Sequence, residues 1–381
     1  MRVLIIGNRF HQLLTNYVEA LKTADSTCVV DVLSYEYNAK AYSADGLFDK
    51  IYTLKVIGGT ILPKYLRIFI QQIKLRFLLK KINDKYDIIH IHYLENYLQR
   101  DAAFLAKLIT PKLVLTFWGS DFLRAKKWQI DKMKHWIDRA DAITFATLEM
   151  REIFYQKFDR EEYNTKTFIL KFGLKPIDYI EKGELKIKYK AKFNISNDKI
   201  VISIGHNASR LQNHLEIMSL IEQNIGIQEY SDSLLFVLML TYPCDSAYIN
   251  KIKSFVKKSK FKYLLVENYL TDQEIAAYRM MSDYFIQLQP TDVLSGSMLE
   301  YLCAGNIVIT GAWLPYDILK ADNVRFYEVN AISDISMKLL ELLRNHETIK
   351  HDVEGNYFLI KDKYQWSNMI KDWIKAYKNE K

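Results

Sequence analysis

Short apolar, β-branched runs alternate along the chain with longer segments of helical periodicity. In the first half these runs lie at 2–6, 28–33, 87–92, 113–117, 142–146 and 167–171. In the second half they lie at 200–204, 234–240, 262–266, 284–289, 307–310 and 325–328. Buried parallel strands are continuous apolar runs, and their alternation with helices is typical of βαβ units. The pattern predicts two doubly wound, Rossmann-like α/β domains in tandem.

Two further segments complete this organisation. Residues 172–197 are polar and lysine-rich, which predicts a linker and a surface lead-in to the second domain. Residues 364–381 predict one amphipathic helix. Its large apolar residues recur at spacings of three and four: Trp366, Ile370, Trp373 and Tyr377. The two predicted domains are therefore 1–171 and 198–363.

Composition excludes several classes of protein. The 381 residues are 49% hydrophobic and 26% charged, as in folded globular chains. The three cysteines form neither a metal-spaced pair nor a disulfide framework, and the N-terminus predicts a strand instead of a signal peptide. These features predict a cytoplasmic protein. The net charge of +8 favours an anionic partner, such as a phosphate-bearing substrate or a membrane surface. No motif indicates nucleic-acid binding.

The loop at 205–214 follows a predicted strand and precedes a helix. A glycine there permits a sharp turn, and polar and cationic side chains can face an anion beside the helix N-terminus. The candidate ligands of a phosphate are Gly205, His206, Asn207, Arg210 and Asn213. The alternative is an ordinary strand-to-helix loop with Asn213 as N-cap. Neither the Rossmann nor the P-loop glycine pattern is present.

The stretch TDVLSGSMLEYLCAGNIVITGA combines acids with small polar residues at a predicted helix start. Ser297 and Glu300 fit a capping box, which by itself requires no ligand. Asp292, Ser295 and Gly296 are unnecessary for such a cap. Backbone N–H groups at residues 296 and 297 suit a phosphate, and a carboxylate one turn into the helix can accept hydrogen bonds from ribose hydroxyls.

This combination resembles a known family of enzymes. Asp292, seven residues, Glu300, an apolar helix and AGNIVITG resemble the E-x7-E segment of GT-B glycosyltransferases, with aspartate replacing the first glutamate. The runs DIIHIH and LVLTFWGSD are similar to strands of that clan's N-terminal domain. GHNASRLQNHLEI resembles the donor-diphosphate loop, especially in bacterial 4-acetamido-4,6-dideoxygalactose transferases that act on lipid-linked acceptors. The tail with Trp366 is similar to the clan's last helix, which crosses back to the first domain.

The resemblance implies a GT-B fold, in which two Rossmann-like domains face a cleft. Residues 1–171 would bind the acceptor, and 198–363 would bind a UDP-, GDP- or dTDP-sugar. Glu300 would bind the ribose, and Asp292 would lie by the sugar. The diphosphate would contact Ser295, Gly296 and Ser297.

The cationic residues of the first loop depart from the family pattern. Arg210, with Asn207 or His206, would neutralise phosphate charge. Retaining members carry an arginine and a lysine five residues apart, where this chain has His206 and Leu211. The stereochemical outcome therefore stays open.

Several residues of the first domain are candidates for the general base. Asp121, within FWGSDFLRAKKW, either faces the acceptor or, with Ser120, caps the next helix. His11 follows the first strand and is also a candidate. His92 and Glu95 follow the third predicted strand, where a histidine is often a satisfied core residue.

No essential metal is expected. The chain has no D-x-D motif and no His/Cys cluster, and it needs no cofactor besides the nucleotide-sugar co-substrate.

The segment 62–82 is both basic and apolar. Its cationic residues recur on one helical stripe: Lys64, Arg67, Lys74 and Lys81. Its apolar residues recur on another: Leu66, Ile70, Ile73 and Phe77. Such a helix either attaches to an anionic membrane surface or packs on a core with solvated lysines.

With these features, the resemblance implies a metal-independent, hexosyl-type glycosyltransferase of bacterial polysaccharide or glycoconjugate biosynthesis. Its saccharide acceptor can be polyprenyl-linked, with the enzyme peripheral on the inner face of the cell membrane. The alternatives are a GT-B nucleotide-sugar epimerase, which needs no acceptor, and a non-catalytic GT-B subunit of another transferase.

Overall fold

The computed structural model describes residues 1–36, 46–55, 63–82, 84–94, 112–118, 121–122, 125–158, 161–181, 185–242, 245–292 and 294–378. The chain forms two compact units: Met1–Gly173 with Trp366–Lys381, and Leu174–Gln365. The segment expected to be a linker belongs to the second unit from residue 174 onwards. It contains the helices Lys175–Tyr179 and Leu185–Lys192.

The first unit contains a parallel sheet, which has seven strands among the described residues. These strands are β1 (Arg2–Gly7), β2 (Val29–Glu36), β3 (Ile51–Lys55), β4 (Ile88–His92), β5 (Lys112–Thr116), β6 (Ala142–Phe145) and β7 (Thr167–Ile169). Their order is β3-β2-β1-β4-β5-β6-β7, and every pair is parallel. The helices of this unit are Gln12–Ala24, Lys64–Lys80, Lys127–Arg139, Leu148–Phe158 and Trp366–Lys378.

The second unit repeats this plan with a six-stranded parallel sheet. Its strands are β8 (Ile200–Ile204), β9 (Leu234–Met239), β10 (Lys262–Val266), β11 (Tyr284–Gln287), β12 (Ile307–Gly311) and β13 (Tyr327–Val329). They lie in the order β10-β9-β8-β11-β12-β13, again with parallel pairing throughout. Its longer helices are His214–Gln223, Ser246–Val256, Asp272–Met281, Gly296–Cys303, Ile335–Arg344, His346–Val353 and Asn356–Tyr364, and shorter ones are Ile225–Gln228 and Asp317–Ala321.

The two doubly wound parallel sheets confirm the predicted fold class. Every strand predicted from an apolar run is present, with ends that shift by up to about three residues. The sequence did not predict β3, whose residues IYTLK lie at the sheet edge. Only Leu54 of β3 is buried, so the strand lacks the continuous apolar signal of the inner strands.

The C-terminal helix Trp366–Lys378 packs into the first unit along the stripe that the sequence predicts. Its four large apolar residues are all buried. The Lys112 ammonium, itself buried, donates to the carbonyl oxygens of Ala376 (2.7 Å) and Tyr377 (2.8 Å) at the helix end. His90 Nδ1 lies 2.6 Å from the Tyr377 hydroxyl. The last turn is therefore held by polar contacts as well as by packing.

Among the described residues, no helix is both long and apolar enough to cross a membrane.

Candidate functional site

Each sheet has one point at which the chain reverses its direction of growth. In the first sheet this point lies between β1 and β4, and in the second between β8 and β11. Open parallel sheets bind ligands beyond the carboxyl ends of the strands at such a point. The loops after β8 and β11 carry the residues predicted to bind the donor, so the fold brings the two stretches together.

The loop after β8 turns at Gly205, which has a φ of 63°. A Cβ there would lie 2.7 Å from Nε2 of His214, so the position requires glycine for space as well as for conformation. The amide of Gln212 joins the two loops, because its Nε2 donates to Oε1 of Gln289 at 2.9 Å. Asn213 adds a second link by donating to the carbonyl oxygen of Leu288 at 2.7 Å. The two loops therefore form one connected surface.

Asn213 occupies the N-cap position of helix His214–Gln223, but its side chain makes no capping hydrogen bond. Its backbone has the left-handed helical conformation, with φ 55° and ψ 28°. Asn213 therefore has the N-cap position that the alternative gave it, but its amide holds the neighbouring loop instead of capping the helix.

His206 is uncharged near neutral pH. Burial lowers its pKa to about 4, and the positive charge of Arg279 and the proximity of His214 add to this effect. Its ring can therefore offer a hydrogen bond but not a cation to a phosphate. Beside it, the Asn207 side chain accepts from the backbone N–H of Ser209 at 2.9 Å, which shapes the turn.

Arg210 is exposed and already paired. Its Nε lies 2.8 Å from the Asp245 carboxylate, and its guanidinium lies 5.3 Å from the centre of the Tyr248 ring. An exposed pair of this kind is weak, so an incoming anion can exchange with Asp245 at small cost.

Helix Gly296–Cys303 begins earlier than the sequence indicates. The N-cap is Ser295, whose hydroxyl accepts from the backbone N–H of Met298 at 3.3 Å. The predicted capping box of Ser297 and Glu300 is therefore wrong. Gly296 and Ser297 instead form the first turn, where backbone N–H groups lack partners within the helix.

Glu300 is buried and forms an ion pair with Arg279. The Arg279 Nε lies 3.1 Å from Oε2 of Glu300, and the two side chains are 5% and 10% exposed. Burial raises the pKa of Glu300, while Arg279 acts in the opposite direction. The carboxylate is thus an interior charge held by one partner, and not a cap.

Asp292 also has structural partners. It accepts from the Gln287 amide at 3.1 Å and from the Tyr316 hydroxyl. Burial and this carboxylate raise the pKa of Tyr316. Asp292, which a helix cap does not require, is therefore held in the loop after β11 by these two hydrogen bonds.

Exposed tyrosines lie in the loops that follow two neighbouring strands, β9 and β10. Tyr242 follows β9 and is 52% exposed, and Tyr269 follows β10 and is 53% exposed. The loop after β8 is joined to the loop after β9, because the N–H of Ala208 donates to the Tyr242 carbonyl oxygen at 2.6 Å. Partial burial and the nearby Glu300 charge raise the pKa of Tyr242, while Arg279 acts in the opposite direction.

Sequence reasoning missed Arg279 and Tyr242. Arg279 lies in a helix that precedes β11, outside the loops that follow strands, and no motif marks it. Tyr242 does follow a strand, and an aromatic residue at such a position was a usable signal.

In the first unit, His11 is the N-cap of helix Gln12–Ala24. Its Nδ1 accepts from the backbone N–H of Leu13 at 3.3 Å. The ring contacts the edge of Trp118, with centroids 4.3 Å apart, and partial removal from water lowers its pKa. An exposed, uncharged imidazole at this edge can accept a proton.

Asp121 is buried and holds two loops. Its carboxylate accepts from the backbone N–H groups of Trp118 (3.1 Å) and Leu94 (3.4 Å). It does not cap the next helix, whose N-cap is Lys126. Ser120 and Glu95, also considered in the sequence, lie outside the described residues.

His92 ends β4 and is buried, with a pKa lowered by burial to about 3. Its two ring nitrogens and the indole nitrogen of Trp118 have no hydrogen-bond partner within the described part of the chain. Buried polar atoms of this kind are costly unless something satisfies them. The end of β4 therefore carries buried polar atoms whose hydrogen bonds are not satisfied by the described part of the chain.

Comparison with known proteins agrees with this architecture. Residues 2–147 match the family model described as glycosyl transferase 4-like. No curated protein matches the sequence at a significant level.

Solved structures match over nearly the whole chain. Anabaena HepE, in complex with UDP, has a TM-score of 0.70 at 10% identity and covers 98% of this chain and 99% of its own. A glycosyltransferase from Rickettsia africae has a TM-score of 0.72 at 12% identity, covering 99% and 97%. Sucrose-phosphate synthase from Thermosynechococcus elongatus has a TM-score of 0.70 at 12% identity, covering 99% and 98%. The chain therefore has the GT-B fold.

The observed cap makes a direct prediction for stability. Ser295→Ala removes the hydroxyl that satisfies the N–H of Met298, and we expect a loss of about 1 kcal/mol in the free energy of unfolding. Ser297→Ala removes no capping bond and should cost less than about 0.5 kcal/mol. Urea unfolding of both variants measures the difference. If Ser297→Ala lowered the free energy of unfolding more than Ser295→Ala, Ser297 would be the N-cap, as the sequence suggested.

Proposed function

We propose that this protein is a GT-B glycosyltransferase that moves a sugar from a nucleotide-sugar donor, bound by the second unit, to a saccharide acceptor, bound by the first. The activity class rests on the glycosyl transferase 4-like match of residues 2–147 and on the GT-B fold. The observation that supports the donor site is the Glu300 carboxylate, which lies one turn into a helix at the reversal point of the second sheet.

The donor site follows from the chemistry of these groups. Glu300 accepts hydrogen bonds from the ribose hydroxyls, because an ionised carboxylate accepts only. Backbone N–H groups of Gly296 and Ser297, at the positive end of a helix, receive the diphosphate, and Ser295 orients that turn. Gly205, Asn207 and Asn213 shape the facing loop.

The charge of the leaving diphosphate needs a cation. Arg210 is our candidate, because its exposed pair with Asp245 can exchange for phosphate oxygens. His206 serves as an uncharged hydrogen-bonding group. Asp292, oriented by Tyr316 and Gln287, lies by the sugar. Stabilising charge on the leaving group is the larger part of catalysis in such a transfer.

On the acceptor side, His11 is the better candidate for the general base. The Asp121 oxygens are engaged with two backbone N–H groups, whereas the His11 imidazole is exposed and its pKa is lowered. His11 would take the proton of the acceptor hydroxyl as its oxygen forms the new glycosidic bond and the nucleoside diphosphate departs. The unsatisfied polar atoms of His92 and Trp118 favour a hydroxyl-rich acceptor.

The nucleotide of the donor is open to a direct test. HepE has been determined with UDP and with UDP-glucose, which makes UDP-sugars our first choice, with GDP- and dTDP-sugars next. As with the 4-acetamido-4,6-dideoxygalactose transferases that the sequence resembles, we propose a polyprenyl-linked saccharide as acceptor and a role in polysaccharide biosynthesis.

Helix Lys64–Lys80 supports access to such an acceptor. Phe69, Ile73 and Phe77 are 57%, 37% and 64% exposed, at successive spacings of four residues. Its buried face is instead formed by Gln71, Gln72, Leu75 and Leu79. Lys74, Arg76 and Lys80 are exposed around the apolar stripe. We propose that this face attaches the enzyme peripherally to the anionic inner face of the cell membrane.

The donor site predicts a selective thermal shift. UDP, GDP, dTDP or CMP, or one of their sugar conjugates, should raise Tm by mass action, and Glu300→Gln should remove most of that shift. Glutamine keeps the size of the side chain, so the variant tests the carboxylate. No shift with any nucleotide would contradict the proposed donor site and favour a non-catalytic subunit.

The base assignment predicts a loss of turnover without a loss of binding. His11→Asn keeps a good N-cap but removes the imidazole, and we expect turnover to fall roughly 10²- to 10⁴-fold. The wild-type rate should fall as the pH drops through the lowered pKa of His11, and the variant should lack that fall. The turnover and its pH dependence are measured as the release of nucleoside diphosphate in the presence of a lipid-linked saccharide extract. Full turnover in His11→Asn, with loss in Asp121→Asn, would transfer the role to Asp121.

The membrane proposal predicts binding to phosphatidylglycerol vesicles that weakens with salt. The double variant Phe69→Ser/Phe77→Ser should bind about tenfold or more weakly, since two apolar side chains leave the interface. Met337→Ser/Phe358→Ser, which changes exposed apolar residues of the second unit, is the matched control and should bind as wild type. Absence of wild-type co-sedimentation at low salt would overturn the proposal.

A further inference from the structure

Arg279 is a buried cation whose position is fixed by several contacts. Its Nε donates to Oε2 of Glu300 at 3.1 Å, and a terminal nitrogen donates to the Tyr301 hydroxyl at 2.8 Å. The guanidinium also lies over the Tyr301 ring, 4.2 Å from its centroid. A planar guanidinium held at three places has little freedom left.

The surroundings of this pair are equally constrained. Tyr301 stacks on Phe285 of β11, with centroids 3.9 Å apart and an interplanar angle of 12°. Asn306 donates to the carbonyl oxygens of both Arg279 (2.9 Å) and Tyr301 (3.0 Å). The helix that carries Arg279 is thereby joined to the helix that carries Glu300.

Glu300 must be ionised to accept hydrogen bonds with both of its carboxylate oxygens, and a fixed cation beside it favours that state. Burial favours the neutral acid and raises the pKa of Glu300, and the positive charge of Arg279 opposes this effect. A neutral carboxyl group would present one O–H donor where the ribose site needs an acceptor. An ionised carboxylate has about four acceptor positions, and the hydrogen bond from Arg279 uses one of them.

Stability alone is a weak reason for this arrangement. Buried ion pairs are often no more stabilising than apolar residues of similar volume, because both charges lose their hydration. The same unit contains a second buried pair, Lys190 and Asp283, at 2.9 Å, which serves as an internal standard for a purely structural role.

We propose that Arg279 is a positioning residue of the donor site, which keeps the Glu300 carboxylate ionised and oriented to accept the ribose hydroxyls of the nucleotide. The inference rests on the proposed function. It adds a residue that acts through Glu300 and touches no substrate, and it makes recognition of the ribose depend on both helices.

The test measures recognition of the hydroxyls themselves. UDP and GDP are each compared with their 2′,3′-dideoxy forms by calorimetry on the full chain. dTDP already lacks the 2′-hydroxyl, so it is compared with its 3′-deoxy form, which removes its one remaining sugar hydroxyl. The discrimination is the ratio of the two Kd values. Wild type should prefer the hydroxyl-bearing form by roughly tenfold to hundredfold. Arg279→Met should bring the ratio close to one, and Arg279→Lys, which keeps the charge but not the fork, should give an intermediate ratio.

The matched controls separate positioning from stability. Lys190→Met removes the other buried pair, so it should lower Tm and leave the ratio unchanged. Glu300→Gln should bring the ratio of Kd values close to one. The double variant Glu300→Gln/Arg279→Met should have the same ratio as Glu300→Gln. If Arg279→Met fails to fold, the lysine variant carries the test.

Each outcome is decisive. If Glu300→Gln loses the ratio while Arg279→Met and Arg279→Lys keep it, the positioning role is overturned and the proposed function stands. If wild type binds none of the nucleotides, or binds without discrimination, the donor-site assignment fails and this inference fails with it.

Discussion

All strand pairs of both sheets are parallel, and the location of the candidate site follows from that constraint. Parallel neighbours cannot be joined by a tight turn, so each connection crosses back as a longer segment, mostly helical. Every strand therefore delivers its following loop to the same edge of the sheet. Where the order reverses, between β8 and β11, no crossover covers that edge, and two distant loops meet. Gln212 and Asn213 of one loop contact Gln289 and Leu288 of the other for this reason.

Charge at this surface is balanced locally. Arg210 faces Asp245, and Glu300 faces Arg279. The two pairs differ in consequence, because the first is exposed and exchangeable while the second is buried and expensive to break. The surface therefore carries one exposed, exchangeable cation and one fixed, buried carboxylate. Burial and the Arg279 charge also lower the pKa of His206, so this ring adds no positive charge near neutral pH.

The first unit uses buried polar groups in a different way. His90 has partners for both ring nitrogens, Tyr377 on one side and Thr116 on the other, each at 2.6 Å. Tyr17 extends this chain by donating to Tyr377 at 2.5 Å, so the last helix is joined to the sheet by a satisfied network. His92, two residues further along β4, is buried without such partners among the described residues. The middle of β4 is thus held by a satisfied network, whereas its end carries buried ring nitrogens without partners in the described part of the chain.

Local periodicity and turn chemistry were enough to predict the fold class and the strands with continuous apolar runs. They also predicted the buried stripe of the last helix and the two loops of the second unit. Sequence reasoning missed β3, which has one buried residue, and it misjudged the cap of helix Gly296–Cys303 by two positions. Serine at 295 and serine at 297 are both good caps, and only the path of the chain selects between them. The ion pair of Glu300 is visible only in the three-dimensional arrangement. Its partner Arg279 lies on a different helix, and no sequence pattern encodes which of many arginines will be buried against which carboxylate.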